Sequence, residues 1–167
     1  GPDQNYNIQN HIRVSNLAYA LVKYPLPEFE GGDKIINAQF VLTPYCMHPN
    51  ATSDYSNQNS FSPTVNIAAH KILRGWAEET ATYNNINPEN GFYDSDVVDY
   101  RVVDGDDSLY AWDITRLANE WADGYSTNYG ILLKFETPCP NDKFDAFFLS
   151  TNGTYVDQSM YPVIYYQ

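Results

Sequence analysis

The sequence predicts an all-β protein, a jelly-roll β-sandwich of two antiparallel sheets with one short α-helix at about 114–122. Two observations carry this expectation. Runs rich in Val, Ile, Tyr and Phe recur along the chain between clusters of Gly, Pro, Asn and Asp, which is the pattern of strands and turns. Only one segment shows a helical apolar stripe. The composition agrees: 15 Tyr, 8 Phe and 3 Trp suit a pleated, half-buried surface, and such Asn- and Thr-rich chains are expected outside the cell.

The elements follow in order. Residues 1–10 read as a tag remnant, Gly1-Pro2, and a flexible arm; 11–167 read as one sandwich domain. His11 to Val14 reads as a short strand. Leu17 to Tyr24 is apolar almost throughout, as in a strand covered on both faces, and Pro25 and Pro27 stop it. Lys34 to Pro44 alternates, with Ile36, Ala38, Phe40 and Leu42 on one face. Residues 46–63 read as a long polar loop, Thr64 to Leu73 as a strand, and 84–96 as turns. Val97 to Val103 and Leu109 to Trp112 are expected strands around the acidic turn "DGDDS". In "DITRLANEWADG", Ile114, Leu117, Ala118 and Trp121 form a single stripe. Asp113 or Thr115 can cap its start, and Gly124 suits the position past its end. Strands are expected again at Tyr129 to Glu136, Phe144 to Ser150 and Val163 to Tyr166.

The 167 residues carry a net charge of −12 and only nine Lys and Arg. Those cations do not cluster, which argues against nucleic acid and anionic membrane as partners, and also against polyanionic sugars. No apolar run reaches membrane-spanning length. No Gly-x-Ser-x-Gly elbow, zinc-ligand spacing or phosphate-binding glycine loop is present. Carboxylates such as Glu78, Glu79, Asp94, Asp96 and Asp113 could in principle cleave glycosides, but acidic surface turns explain most of them. No cofactor is expected. "DSD" at 94–96 and "DGDD" at 104–107 could hold a structural Ca²⁺, but a plain acidic turn is the better explanation. Cys46 and Cys139 are either a staple between loop ends or two inert thiols. Asn50 and Asn152 lie in glycosylation patterns.

Four pieces occur in a set order: "ALVKYPLPEFEGGDKIINAQFVL", "ILRGWAEETATYNN", "WDITRLANEWADG" followed by "NYGILLKF", and the closing "YPVIYY". This order resembles the DNRLRE family of bacterial secreted and cell-surface proteins over roughly residues 17–166. The chain has Tyr83 where the family has a second tryptophan. The resemblance implies a domain within a larger protein, with flanking domains, in a carbohydrate-binding, adhesin-like or cellulosomal setting. It also implies that Trp76, Glu78, Thr82 and Tyr83 are structural, like Asp113 and Trp121 at the helix. Lys23 and Lys134 match its basic strand positions.

A sugar-binding face needs exposed aromatic rings beside polar groups. The loop tyrosines Tyr55, Tyr93, Tyr125 and Tyr155 are candidates, with Lys23 and Lys134 lining a groove. The expected function is therefore a non-catalytic extracellular module that binds a polysaccharide or glycan. The alternative is a structural spacer or adhesion module without a small ligand, and a glycan-active enzyme ranks last.

Overall fold

The computed structural model describes residues 11–16, 18–23, 25–28, 33–48, 64–77, 80–104, 107–139, 145–149 and 161–166. Among these residues the structure is mostly β, all pairings are antiparallel, and the fold is an all-β sandwich with one α-helix. Ten strands are defined: β1 (His11–Ser15), β2 (Ala20–Val22), β3 (Ile35–Leu42), β4 (Pro44–His48), β5 (Val65–Ile72), β6 (Tyr93–Val103), β7 (Tyr110–Asp113), β8 (Ile131–Phe135), β9 (Asp145–Leu149) and β10 (Tyr161–Tyr166). The helix α1 spans Thr115–Ala122, between β7 and β8.

One layer is a four-stranded sheet in the order β2-β8-β5-β6. Against it lie two three-stranded ladders, β10-β3-β7 and β1-β9-β4. Alternation in the strands explains why they stack. Ala20, Val22, Ile131, Leu133, Phe135, Val65, Ile67, Ala69 and Val103 point from the four-stranded sheet into a core shared with Val14, Ala38, Phe40, Leu42, Tyr110, Trp112, Ala146 and Phe148. Trp112 is fully buried at its centre. Its ring stands edge-on to Phe148 at 6.4 Å, and its Nε1–H donates to the Ile67 carbonyl at 2.8 Å. That bond ties β7 to β5 across the core and satisfies a donor that would be costly to bury alone.

The helix closes one end of the sandwich by standing in for a strand. β7 pairs with β3 only from Gln39 to Leu42. Beyond that point the helix takes over the edge of β3. Ile114 N–H donates to the Ala38 carbonyl, and the Thr115 hydroxyl accepts from the Ala38 N–H at 2.9 Å. Asn119 then accepts from the Ile35 N–H and donates to the Ile35 carbonyl. Side chains thus complete a ladder that would otherwise be an open edge. Leu117 and Ala118 are buried beneath, as the stripe requires. Asp113 Oδ1 accepts from both the N–H and the hydroxyl of Thr115, so it caps the helix from one position before the geometric cap, Ile114. Those two bonds, the hydroxyl first, hold the Asp113 carboxyl below its ordinary range. Gly124 takes the left-handed conformation past the helix end, φ +74°.

Three boundaries differ from the sequence reading. Pro44–His48 is a strand, where a loop was expected from 46. Proline is tolerated at its first position, and a register shift between Pro44 and Cys46 absorbs the irregularity against β9. β2 is shorter than Leu17 to Tyr24, although the two-sided cover holds: Ala20 and Val22 face the main core, and Tyr19 and Leu21 face a second cluster. β6 begins at Tyr93 rather than Val97, through two register irregularities against His70.

Candidate functional site

The outward face of the four-stranded sheet carries its own small core. Ile72, Leu132, Phe92, Tyr93 and Ile86 are buried there, with Tyr19, Leu21, Trp76, Ala81 and Tyr129 packed around them. The chain between β5 and β6 supplies the cover. Leu73 N–H donates to the Phe92 carbonyl, closing the base of this excursion. Its asparagines bond its own backbone: Asn85 accepts from the Thr82 N–H and donates to the Thr80 carbonyl, and Asn90 donates to the Asn85 carbonyl and accepts from the Phe92 N–H. Trp76 Nε1–H donates to the Tyr129 carbonyl at 2.7 Å, and Arg74 lies over the Phe92 ring at 5.4 Å. Arg74 to Ala77 and Thr80 to Asn85 of the polar stretch "RGWAEETATYNN" therefore contribute a cover onto the sheet. Trp76→Ala is expected to lower stability by about 2 kcal/mol, read as a lower urea midpoint, with any glycan affinity changed far less.

Beside that covered half, register brings a different set of side chains into line. Lys134 on β8 pairs with Ala68 on β5, and Ala68 pairs with Tyr100 on β6. Tyr19, just before β2, completes the row: its ring lies 5.6 Å from Lys134 Nζ. Tyr93 lies 5.9 Å from the same ammonium on another side. The rings of Tyr19 and Tyr93 meet edge to face at 6.4 Å, and His70 packs against Tyr93 at 5.2 Å. Tyr100 is 50% exposed, and Val97 and Val102 beside it on β6 are exposed too. Ala68, between Lys134 and Tyr100, is fully buried, so the side chains around it close over its methyl group. The neighbouring row adds Asn66, whose carbonyl accepts from the N–H of the exposed Glu136.

His70 lies in the adjacent row of the same face, between Leu132 and Val97. Its Nδ1 lies 2.8 Å from the Asp94 carbonyl; a carbonyl only accepts, so Nδ1 carries the proton. Burial pushes the imidazole below its ordinary value and the Lys134 charge acts in the same direction, against the Asp94 hydrogen bond. A lowered folded value means the unfolded chain binds the proton more tightly. The stabilisation is then complete above the unfolded value of about 6.5 and is lost as pH falls from there through the folded value. The urea midpoint is expected to fall between about pH 7 and pH 5, and His70→Gln is expected to flatten that fall; an equal slope in both proteins contradicts the assignment.

The residues expected from the sequence distribute unevenly. Lys134 lies in the centre of the row. Tyr93 was expected as an exposed loop residue and is a correction: it opens β6, is 4% exposed, and serves as a wall for Lys134, because the β-bulges let the strand start earlier and turn this ring onto the sheet. Lys23 is exposed just past β2, four residues from Tyr19 and near Gly130. Tyr125 is 85% exposed on the turn after the helix and makes no ring, ion or side-chain hydrogen-bond contact with the Lys134 row among the described residues. Tyr55, Tyr155, Glu78, Asn50 and Asn152 lie outside the described residues, as do the side chains of Tyr83 and Cys46. Trp121 packs against the main core. Cys139 is buried with a free thiol, and Asn16 clamps its backbone N–H and carbonyl. Asp94 Oδ1 accepts from the Asp96 N–H within β6. Among the described residues no three His, Cys, Asp or Glu side chains converge as metal ligands.

Sequence reasoning missed Tyr19, His70 and Tyr100. Their signal was parity: each points outward from its strand, as Lys134 does, but the shared row exists only once strand order and register are known. No protein-family model matches the chain, and no curated protein matches it.

Proposed function

We propose that the chain is a non-catalytic carbohydrate-binding module of a secreted or cell-surface protein, of the kind its resemblance to the DNRLRE family implies, and that the outward face of the four-stranded sheet binds the glycan. The observation that carries this reading is the row Tyr19–Lys134–Ala68–Tyr100. Tyr100, half exposed, offers a stacking face, Tyr19 stands at the other end of the row, and Lys134 and Asn66 supply polar contacts between and beside them. Three inter-strand steps of about 4.8 Å separate the ends of the row, roughly 14 Å, a length that suits a short oligosaccharide lying across the strands.

Electrophoresis through gels containing neutral polysaccharides tests the proposal. Tyr100→Ala and Tyr19→Ala are each expected to weaken retardation by about 3- to 10-fold, the worth of one aromatic stacking contact, with melting of Tyr100→Ala little changed. Retardation of both variants equal to the parent's contradicts it. A second reading, adhesion to another protein, draws on the exposed strip Val97, Tyr100 and Val102 along the edge strand β6; binding to a protein partner with no glycan retardation would favour it.

A further inference from the structure

We infer that Lys134 is the specificity-determining hydrogen-bond donor of this face, and that the ligand it selects is a neutral glycan offering adjacent hydroxyl oxygens rather than a polyanion. This inference rests on the sugar-binding reading above. Its starting point is how the chain treats its cations. Lys71 and Arg116 both meet Glu120, and Arg101 meets Asp99. In a chain with 21 Asp and Glu residues, a strand lysine has ample opportunity to pair. Lys134 instead meets only the rings of Tyr19 and Tyr93, with no carboxylate or other hydrogen-bond acceptor among the described residues.

Ring faces attract an ammonium but accept its protons poorly. An ammonium carries three N–H donors, and cation–π contact contributes about 0.5–2 kcal/mol while leaving them unmatched. The two rings thus restrain the flexible lysine stem while leaving its donors to a ligand. Restraint before binding lowers the entropy that binding must remove. The tetrahedral ammonium can donate to two neighbouring oxygens of one sugar ring while that ring lies against Tyr19 or Tyr100.

Charge decides which ligand. Binding a polyanion takes several cations along its path. The row contains one, and the exposed Glu136 lies in the next row, bonded to Asn66, within a chain of net charge −12. Lys71 on β5 faces the opposite way and is committed to Glu120. The field around this face therefore repels a polyuronate, while one ammonium serves a neutral diol.

The experiment uses gels containing xyloglucan, galactomannan or mixed-linkage β-glucan, with polygalacturonate as the anionic arm. The parent chain is expected to be retarded by at least one neutral gel, with retardation little changed between about 0.05 and 0.5 M NaCl, and not by polygalacturonate. Lys134→Met keeps the apolar stem and is expected to lose about 10- to 100-fold in affinity, the span of a charge-assisted hydrogen bond. Lys134→Arg is expected to recover part of it, and it serves as the readout should the methionine variant fold poorly. Parent-like affinity of Lys134→Met, or salt-sensitive retardation by polygalacturonate, overturns the role of Lys134 while leaving sugar binding intact. Failure of the parent in every gel overturns the sugar-binding reading itself, and this inference with it.

Discussion

Trp112→Ala is expected to cost about 3–5 kcal/mol, a large share of the 5–15 kcal/mol that holds a domain together. The size follows from position. Among the described residues Trp112 is the largest fully buried side chain, it touches Phe40 and Phe148 from two ladders, and it reaches across to Ile67. Truncation leaves a cavity between layers that the strands on either side, locked in register, cannot collapse to fill. It also removes the donor to Ile67. Trp112→Phe separates the two effects: it refills much of the volume but leaves the Ile67 carbonyl without that donor, and is expected to cost less, about 1–3 kcal/mol. Urea unfolding measures both. A loss under about 1 kcal/mol for the alanine variant would mean that the two layers are not joined at this ring.

Gly130→Ala is expected to be as damaging, about 3 kcal/mol or more, although it adds a single methyl group. Gly130 has φ +92°, which a side chain disfavours. A Cβ there would lie 2.2 Å from the Val22 carbonyl oxygen and 3.0 Å from Lys23 Cβ. The obstacle is backbone, so no rotamer change relieves it, and β2 must move off β8. Because Tyr19 precedes β2, that movement also disturbs the ring beside Lys134, and glycan retardation should fall together with stability. Gly124→Ala provides the control. It shares the positive φ but has open space around it, and is expected to cost about 1 kcal/mol. Equal urea midpoints for the two variants would contradict the account of Gly130.

The sequence made the helix legible because its signals are local: the stripe from Ile114 to Trp121, the acid before Thr115 and the glycine at 124. Its role as a substitute strand was not, since nothing near Asn119 announces that Ile35, far along the chain, lacks a partner. β4 was illegible for the same reason. "PYCMH" lacks alternation and opens on proline, and only the distant β9 makes it a strand. The start of β6 was hidden by "YDSD", where acidic turn residues sit within a bulged strand. At the candidate site, Lys134 was legible, with Lys23, as a strand lysine matching a basic position of the DNRLRE resemblance. Tyr19 was submerged in the apolar run "LAYALV", and Tyr125, which looked right as an exposed loop tyrosine, stands apart from the row. Composition announces the supply of tyrosine; register decides which rings meet.

The most direct measurement is amide chemical-shift mapping of the isotope-labelled chain during titration with short neutral oligosaccharides of glucose, xylose and mannose. Saturable shifts centred on Ala68, Tyr100, Lys134 and the start of β2 are the predicted result. Shifts gathered around Tyr125 and the helix end, or no shifts with any of these sugars, would contradict a glycan site on the outward face of the four-stranded sheet.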